Sequence, residues 1–184
     1  MKGLLAVLSL LLCSLFVMVS CAGAPPAPPQ YDFGKDGIRF RFRADSQLNN
    51  YQGSPHTLLI CVYQLSDPNA FNQLTGEKEG LYRLLECRRF DPSVTNAKRL
   101  IVQPGQDTTS TLDRAEGTKY VGLVAGYYRI EKEHVTRLFK VPLLEEKKSA
   151  FSSSKVLKPG VLDAELLLGP QQIQDAGVPK SDKE

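Results

Sequence analysis

The chain has 184 residues, with 23 Lys and Arg against 20 Asp and Glu and a net charge of +3. A charge this balanced excludes an electrostatic grip on nucleic acid or anionic lipid. Hydrophobic residues make up 42% of the chain, enough for one packed domain once the N-terminal segment is set aside.

Met1 and Lys2 form a minimal basic start, and residues 3–19 are an uncharged apolar run. The run falls short of the roughly 20 residues of a membrane span and lacks a basic stop beyond it. It reads as a removed signal peptide. Two cleavage sites compete. Ala22-Gly23-Ala24 has the small-x-small pattern, but Pro25 would follow the cut, where its fixed φ and missing N–H are unfavourable. Met18-Val19-Ser20-Cys21 resembles a lipobox, which ends in a small residue before a cysteine; Met18 replaces the usual leucine. Cys13 follows the bulky Leu12 and does not fit. Cys21 is therefore the expected lipidation site. Acyl chains there would hold the chain to a bilayer at about 0.8 kcal/mol per buried CH2. Ala22 stands where an Asp would retain a lipoprotein at the inner membrane, so the periplasmic face of the outer membrane is the expected location. Residues 22–30 (AGAPPAPPQ) read as an extended, semi-rigid tether.

Strand signals dominate from Gly37 onward. Ile38, Phe40, Phe42 and Ala44 alternate with Arg39, Arg41 and Arg43, giving one buried and one wet face. Residues 45–56 are polar, with Asn49-Asn50 and Gly53-Ser54-Pro55, and form a loop. Residues 58–62 are apolar on both faces, as in a central strand, and continue through Tyr63 and Leu65. Asp67-Pro68 reads as an N-cap with proline at the first helical position. Phe71 and Leu74 share a face of the short helix that Thr75-Gly76 stops. A further turn or two over residues 79–88 carries Leu81, Leu84 and Leu85. These segments read as an insertion covering a sheet edge or one end of a sandwich. Strands follow at 98–103, closed by Pro104-Gly105, and at 108–112. The longest is expected over 119–130, where Gly122 and Gly126 mark a face that something approaches closely. Residues 135–141 alternate as a strand, 142–158 read as a polar loop, and 161–168 place Leu162, Ala164, Leu166 and Leu168 inward. The tail from Gly169 reads as polar and frayed. About seven strands make an antiparallel two-sheet β-sandwich the economical architecture.

Chemistry is hard to find. Neither His56 nor His134 has a Cys, Asp or Glu at metal-ligand spacing, and no nucleophile elbow, P-loop or dinucleotide fingerprint occurs. Glu131, Glu133, Glu145 and Glu146 fit solvated hairpin ends better than acid–base pairs. No catalytic residue, metal ligand or cofactor is expected. Cys61 and Cys87 fit either a disulfide, which persists in an exported protein, or two separate buried thiols.

Several features together resemble the type VI secretion outer-membrane lipoprotein family, TssJ. They are the lipobox cysteine, Leu48-Asn49 in the first loop, Val62-Tyr63-Gln64-Leu65, Phe71 and Leu74, Pro104-Gly105, and the run from Tyr120 to Tyr127. The chain departs from the family in lacking a tryptophan near the penultimate strand, where residues 135–139 stand. The resemblance implies a transthyretin-like sandwich with a small helical addition. It also implies a role tethering the periplasmic C-terminal region of TssM to the outer membrane, through the loop between the first two strands. In this chain that loop offers Leu48, Asn49, Asn50 and Tyr51 as contact residues, if Leu48 and Tyr51 are exposed. The alternative is that Leu48 tucks onto the sandwich and the asparagines only make turns. A rival function is a periplasmic lipoprotein that binds a small ligand or the cell wall. The expected layout is a signal peptide (1–20), a lipidated cysteine and tether (21–36), a β-sandwich (37–169) and a polar tail (170–184).

Overall fold

A computed structural model describes residues 28–147 and 155–177. The signal peptide, Cys21, most of the proline tether, the serines at 152–154 and the last seven residues lie outside the described part.

Two four-stranded sheets face each other. The first holds β1 (Gly34–Ala44), β4 (Asp107–Arg114), β9 (Leu162–Leu168) and β10 (Ile173–Gly177), in the order β10-β9-β1-β4. The second holds β2 (Leu58–Leu65), β3 (Val94–Val102), β5 (Tyr120–Ala125) and β6 (Thr136–Lys140), in the order β3-β2-β5-β6. A separate ribbon pairs β7 (Leu143–Lys147) with β8 (Lys155–Pro159). Pairing is antiparallel except between β1 and β9, which run parallel with Ile38 opposite Leu162. The fold is the expected mostly-β sandwich.

The alternation in β1 does what its period demands. Ile38, Phe40 and Phe42 are fully buried, and with Leu162, Ala164, Leu166 and Leu168 they pack against Ile60, Val62, Val121 and Leu123 of the second sheet. The opposite face of β1 is a charged ladder: Arg39 pairs with Asp163, Arg41 with Asp107 and Glu165, and Arg43 with Glu165. Opposite charges on neighbouring strands keep this face wet without exposing an unpaired stripe.

β2 is apolar on both faces because it lies between two cores. Its outer face, with Cys61, Tyr63 and Leu65, is covered by α1 (Asn69–Thr75), α2 (Lys78–Leu84) and the segment after them. Phe71 from α1 and Leu84 from α2 are buried there, and the Tyr63 hydroxyl donates to the Leu84 carbonyl. A Cβ on Gly122 would lie 2.7 Å from the Phe71 ring, so the close approach read from the sequence is this phenylalanine. Cys61 and Cys87 are disulfide-bonded with Cα atoms 5.1 Å apart, which ties the helical cover to the central strand.

Several boundaries differ from expectation. The helix over 69–75 takes Pro68 as its N-cap, one residue later than expected, and Asp67 Oδ1 instead accepts from the Asn69 N–H. The second helix stops at Leu84, short of Arg88, and Cys87 takes a left-handed φ of 54°. The long strand over 119–130 is really six residues: the Gly126 N–H makes one last in-register bond to the Leu59 carbonyl, and the Tyr127 N–H then turns back to the Ala125 carbonyl. Residues 132–135, expected in part as strand, form the single helical turn α3 (Lys132–Val135). The polar loop expected at 142–158 contains the β7–β8 ribbon. The tail is not wholly frayed: Ile173 is buried, and β10 adds an edge strand to β9.

Candidate functional site

The loop between β1 and β2 is built by its own polar side chains. Asp45 Oδ1 accepts from the Gln47 N–H, and the Leu48 N–H donates to the Asp45 carbonyl. The chain then doubles back in a two-residue hairpin: Tyr51 and Ser54 exchange backbone hydrogen bonds of 2.9 and 3.0 Å around Gln52 and Gly53. Both central residues have positive φ, 52° and 81°, as a tight turn of this hand requires. Asn50 steadies it, with Nδ2 donating to Gln47 Oε1 and Oδ1 accepting from the Gly53 N–H.

Leu48 is not exposed. It is fully buried among the sandwich residues, so the expectation of an exposed leucine anchor is corrected; a loop this polar has one apolar side chain with which to pin itself to the core. Asn49 is 5% exposed and does more than make a turn. Its Nδ2 donates to the Thr57 carbonyl at 3.1 Å, and its Oδ1 accepts from the Tyr128 N–H at 3.0 Å. One buried amide thus joins the β1–β2 loop to the segment after β5.

That junction places the Tyr51 and Tyr128 rings face to face, 4.4 Å apart and 18° from parallel. The His56 ring stands edge-on to Tyr128 at 5.1 Å, and its Nδ1 donates to the Ser54 carbonyl at 2.9 Å. Tyr51 is 47% exposed and Tyr128 55%. The stack borders an open cleft of about 470 Å³, whose further wall is Arg129, Pro170 and Gln171. Asn50 is half-buried there and its N–H donates to the Pro170 carbonyl at 2.7 Å. A paired, half-exposed aromatic surface held by a rigid loop can anchor a protein contact with little ordering cost. Among the described residues no cluster of three or more His, Cys, Asp or Glu side chains is placed to hold a metal. Glu131 instead pairs with Arg129 and His134, and Glu146 with Lys158.

Of the four expected contact residues, the structure therefore leaves Asn50 and Tyr51 at the surface and uses Leu48 and Asn49 to hold them. The sequence marks none of Tyr128, His56, Pro170 and Gln171 as a contact residue. Tyr128 was concealed by the strand-like period of 119–130, and nothing local marks Pro170, which arrives through the sheet order.

The chain matches, over residues 36–160, the family described as type VI secretion lipoprotein, VasD, EvfM, TssJ. It belongs to that family. Members are structural lipoproteins of a secretion complex and not a known enzyme family. The type VI secretion lipoprotein fold is seen in solved structures as well. The lipoprotein TssJ1 from Pseudomonas aeruginosa is 16% identical with a TM-score of 0.55, over 85% of this chain and 99% of that one. Serratia marcescens Lip, a membrane-bound component of the type VI secretion system, is 18% identical with a TM-score of 0.53, over 78% and 97%. A chain in the structure described as the TssM C-terminal domain from EAEC is 15% identical with a TM-score of 0.51, over 74% and 94%. None of the curated proteins is a match.

Proposed function

We propose that this type VI secretion lipoprotein holds the periplasmic C-terminal region of TssM to the outer membrane. Acylated Cys21 supplies the anchor, and the end of the sandwich bearing Tyr51 and Tyr128 supplies the contact. The observation that carries the reading is the exposed Tyr51–Tyr128 stack, fixed by the buried Asn49 amide. β1 runs from the tether end, at Gly34, to the loop that carries Tyr51, a distance of about 30 Å at strand rise. The contact surface thus faces away from the anchor, as a bridge between lipid and a periplasmic partner needs. The adjoining cleft is open, with mixed polar and apolar walls, and a small-ligand site would enclose most of its ligand. A macromolecular partner fits better.

The test is equilibrium binding of the oxidised protein to a TssM periplasmic fragment. Tyr51→Ala and Tyr128→Ala should each weaken capture about tenfold or more, the cost of about 1.4 kcal/mol or more expected for an aromatic anchor. Unchanged affinity in both variants, with an unchanged melt, would refute the surface.

A further inference from the structure

The end of the domain opposite the tyrosine stack carries a second exposed apolar surface. Parallel pairing of β1 with β9 brings the segment leading into β1 beside the root of the β7–β8 ribbon. Arg114, only 5% exposed, fastens the two: Nη1 donates to the Gly160 carbonyl at 2.9 Å and Nη2 to the Asp32 carbonyl at 3.2 Å. Between them lies a cleft of about 510 Å³ bordered by Pro28, Gln30, Arg114, Val156, Leu157 and Lys158. Unlike the cleft beside Tyr51, its wall is mainly apolar. Around it Phe33, Leu144 and Val161 stand 61%, 60% and 49% exposed.

The ribbon pairs as a sheet of its own, and its register puts Leu144 and Val156 on one face and Leu157 on the other. A water-exposed ribbon ordinarily keeps apolar residues off its wet faces. Both faces of this one carry them.

The length of chain before the cleft says what covers it. Cys21 is seven residues from Pro28, which lies on the cleft wall, so an anchored Cys21 holds the cleft within about 25 Å of the lipid even at full extension. No such constraint brings the tyrosine stack to the bilayer. We infer that the β7–β8 ribbon and the cleft at its root rest on the bilayer surface. Leu144, Val156, Leu157 and Phe33 then enter the headgroup boundary. The contact sets the orientation of the domain, so that the Tyr51 end points into the periplasm.

This inference rests on the Cys21 anchor, and the two can fail separately. Cys61 and Cys87 are bonded to each other, so in the chain from Cys21 onward Cys21 is the free thiol. That mature chain is coupled through Cys21 to maleimide lipid in phosphatidylethanolamine–phosphatidylglycerol vesicles with brominated acyl chains. The protein has no tryptophan, so L157W on the ribbon and I101W on β3, where Ile101 is 52% exposed, are single reporters. Brominated lipid should quench L157W about twofold, the depth of an interfacial contact, and leave I101W nearly unchanged. Adding Leu144→Asp and Val156→Asp should abolish the L157W quenching without altering coupling or the near-ultraviolet circular dichroism. Equal quenching of both reporters overturns the inference. So does an L157W blue shift that follows protein density and not lipid, which would mark a second copy as the occupant. Native acylation is read independently, by mass spectrometry of the N-terminus of protein from cells; its absence removes the anchor but leaves the coupled-vesicle result standing.

Discussion

Asn49 shows how one side chain can organise a surface it does not itself present. Its amide satisfies a carbonyl of one segment and an N–H of another, and its φ of 48° is a backbone state that asparagine tolerates better than most residues. Asn49→Ala removes both hydrogen bonds and should cost about 2–3 kcal/mol in urea denaturation. It should also weaken TssM-fragment binding although Asn49 is buried, since Tyr128 loses its support. Gly122 sets a different constraint. Gly122→Ala drives a methyl into Phe71 and should cost about 1–3 kcal/mol as overpacking. Combining it with Phe71→Leu should cost less than the sum of the two single changes, a coupling that a double-mutant cycle measures. Tyr63 offers a pH test. Burial pushes its hydroxyl up to about 12, whereas an unfolded tyrosine ionises near 10. Between those values only the unfolded chain releases the proton. Stability should be level below about pH 10 and fall as pH rises towards about 12. Tyr127, also raised by burial, acts in the same direction, so Tyr63→Phe should soften the alkaline decline without abolishing it.

Among the elements, β1 and β9 were legible because each has one wet face, and alternation of period two reports that directly. β2 was legible as a central strand for the opposite reason: with a core on each side, its apolar residues do not alternate. The tract over 119–130 misled because Tyr127 and Tyr128 continue a strand-like composition after the ladder ends at Ala125. Composition does not register that the Tyr127 N–H turns back to Ala125 and the Tyr128 N–H goes to Asn49. Residues 142–158 misled in reverse. Their charges read as loop, yet a ribbon that needs no buried face can form from such residues once its two arms are brought together. The helical cover is the element most exposed to loss, being two helices of seven residues each, too short to persist alone. Its covalent link to β2 is the Cys61–Cys87 bond across a separation of 26 residues, worth about 3 kcal/mol by loop closure. Cys61→Ala with Cys87→Ala should lower the urea midpoint accordingly, and hydrogen exchange should show the helices opening before the sandwich.

At the scale of the whole molecule, the proposed anchor and the fold are separable. Cys21 precedes the domain, so Cys21→Ser should move the protein from the membrane fraction to the soluble periplasm with its melting temperature unchanged. Secretion-complex assembly should fail at the same time. If that variant stayed in the membrane fraction, the acyl anchor would be refuted. The proposed bridge is then a matter of direction. The segment leading into β1 and the ribbon lie at one end of that strand, and the tyrosine stack lies at the other.

The amino-acid order alone determined the lipobox reading, the sandwich class and the inward residues of β1 and β9, because these depend on neighbours in the chain and on period. It also singled out the loop proposed above as the contact. Tertiary structure decided which side chains of that loop reach solvent. Leu48 and Tyr51 both stand as large side chains in a polar stretch, and packing against the sandwich separates the one that pins the loop from the one left exposed. It also decided that Tyr128 and Pro170 join Tyr51, since strands distant in sequence deliver them through sheet order, and no local pattern encodes a neighbour more than 70 positions away.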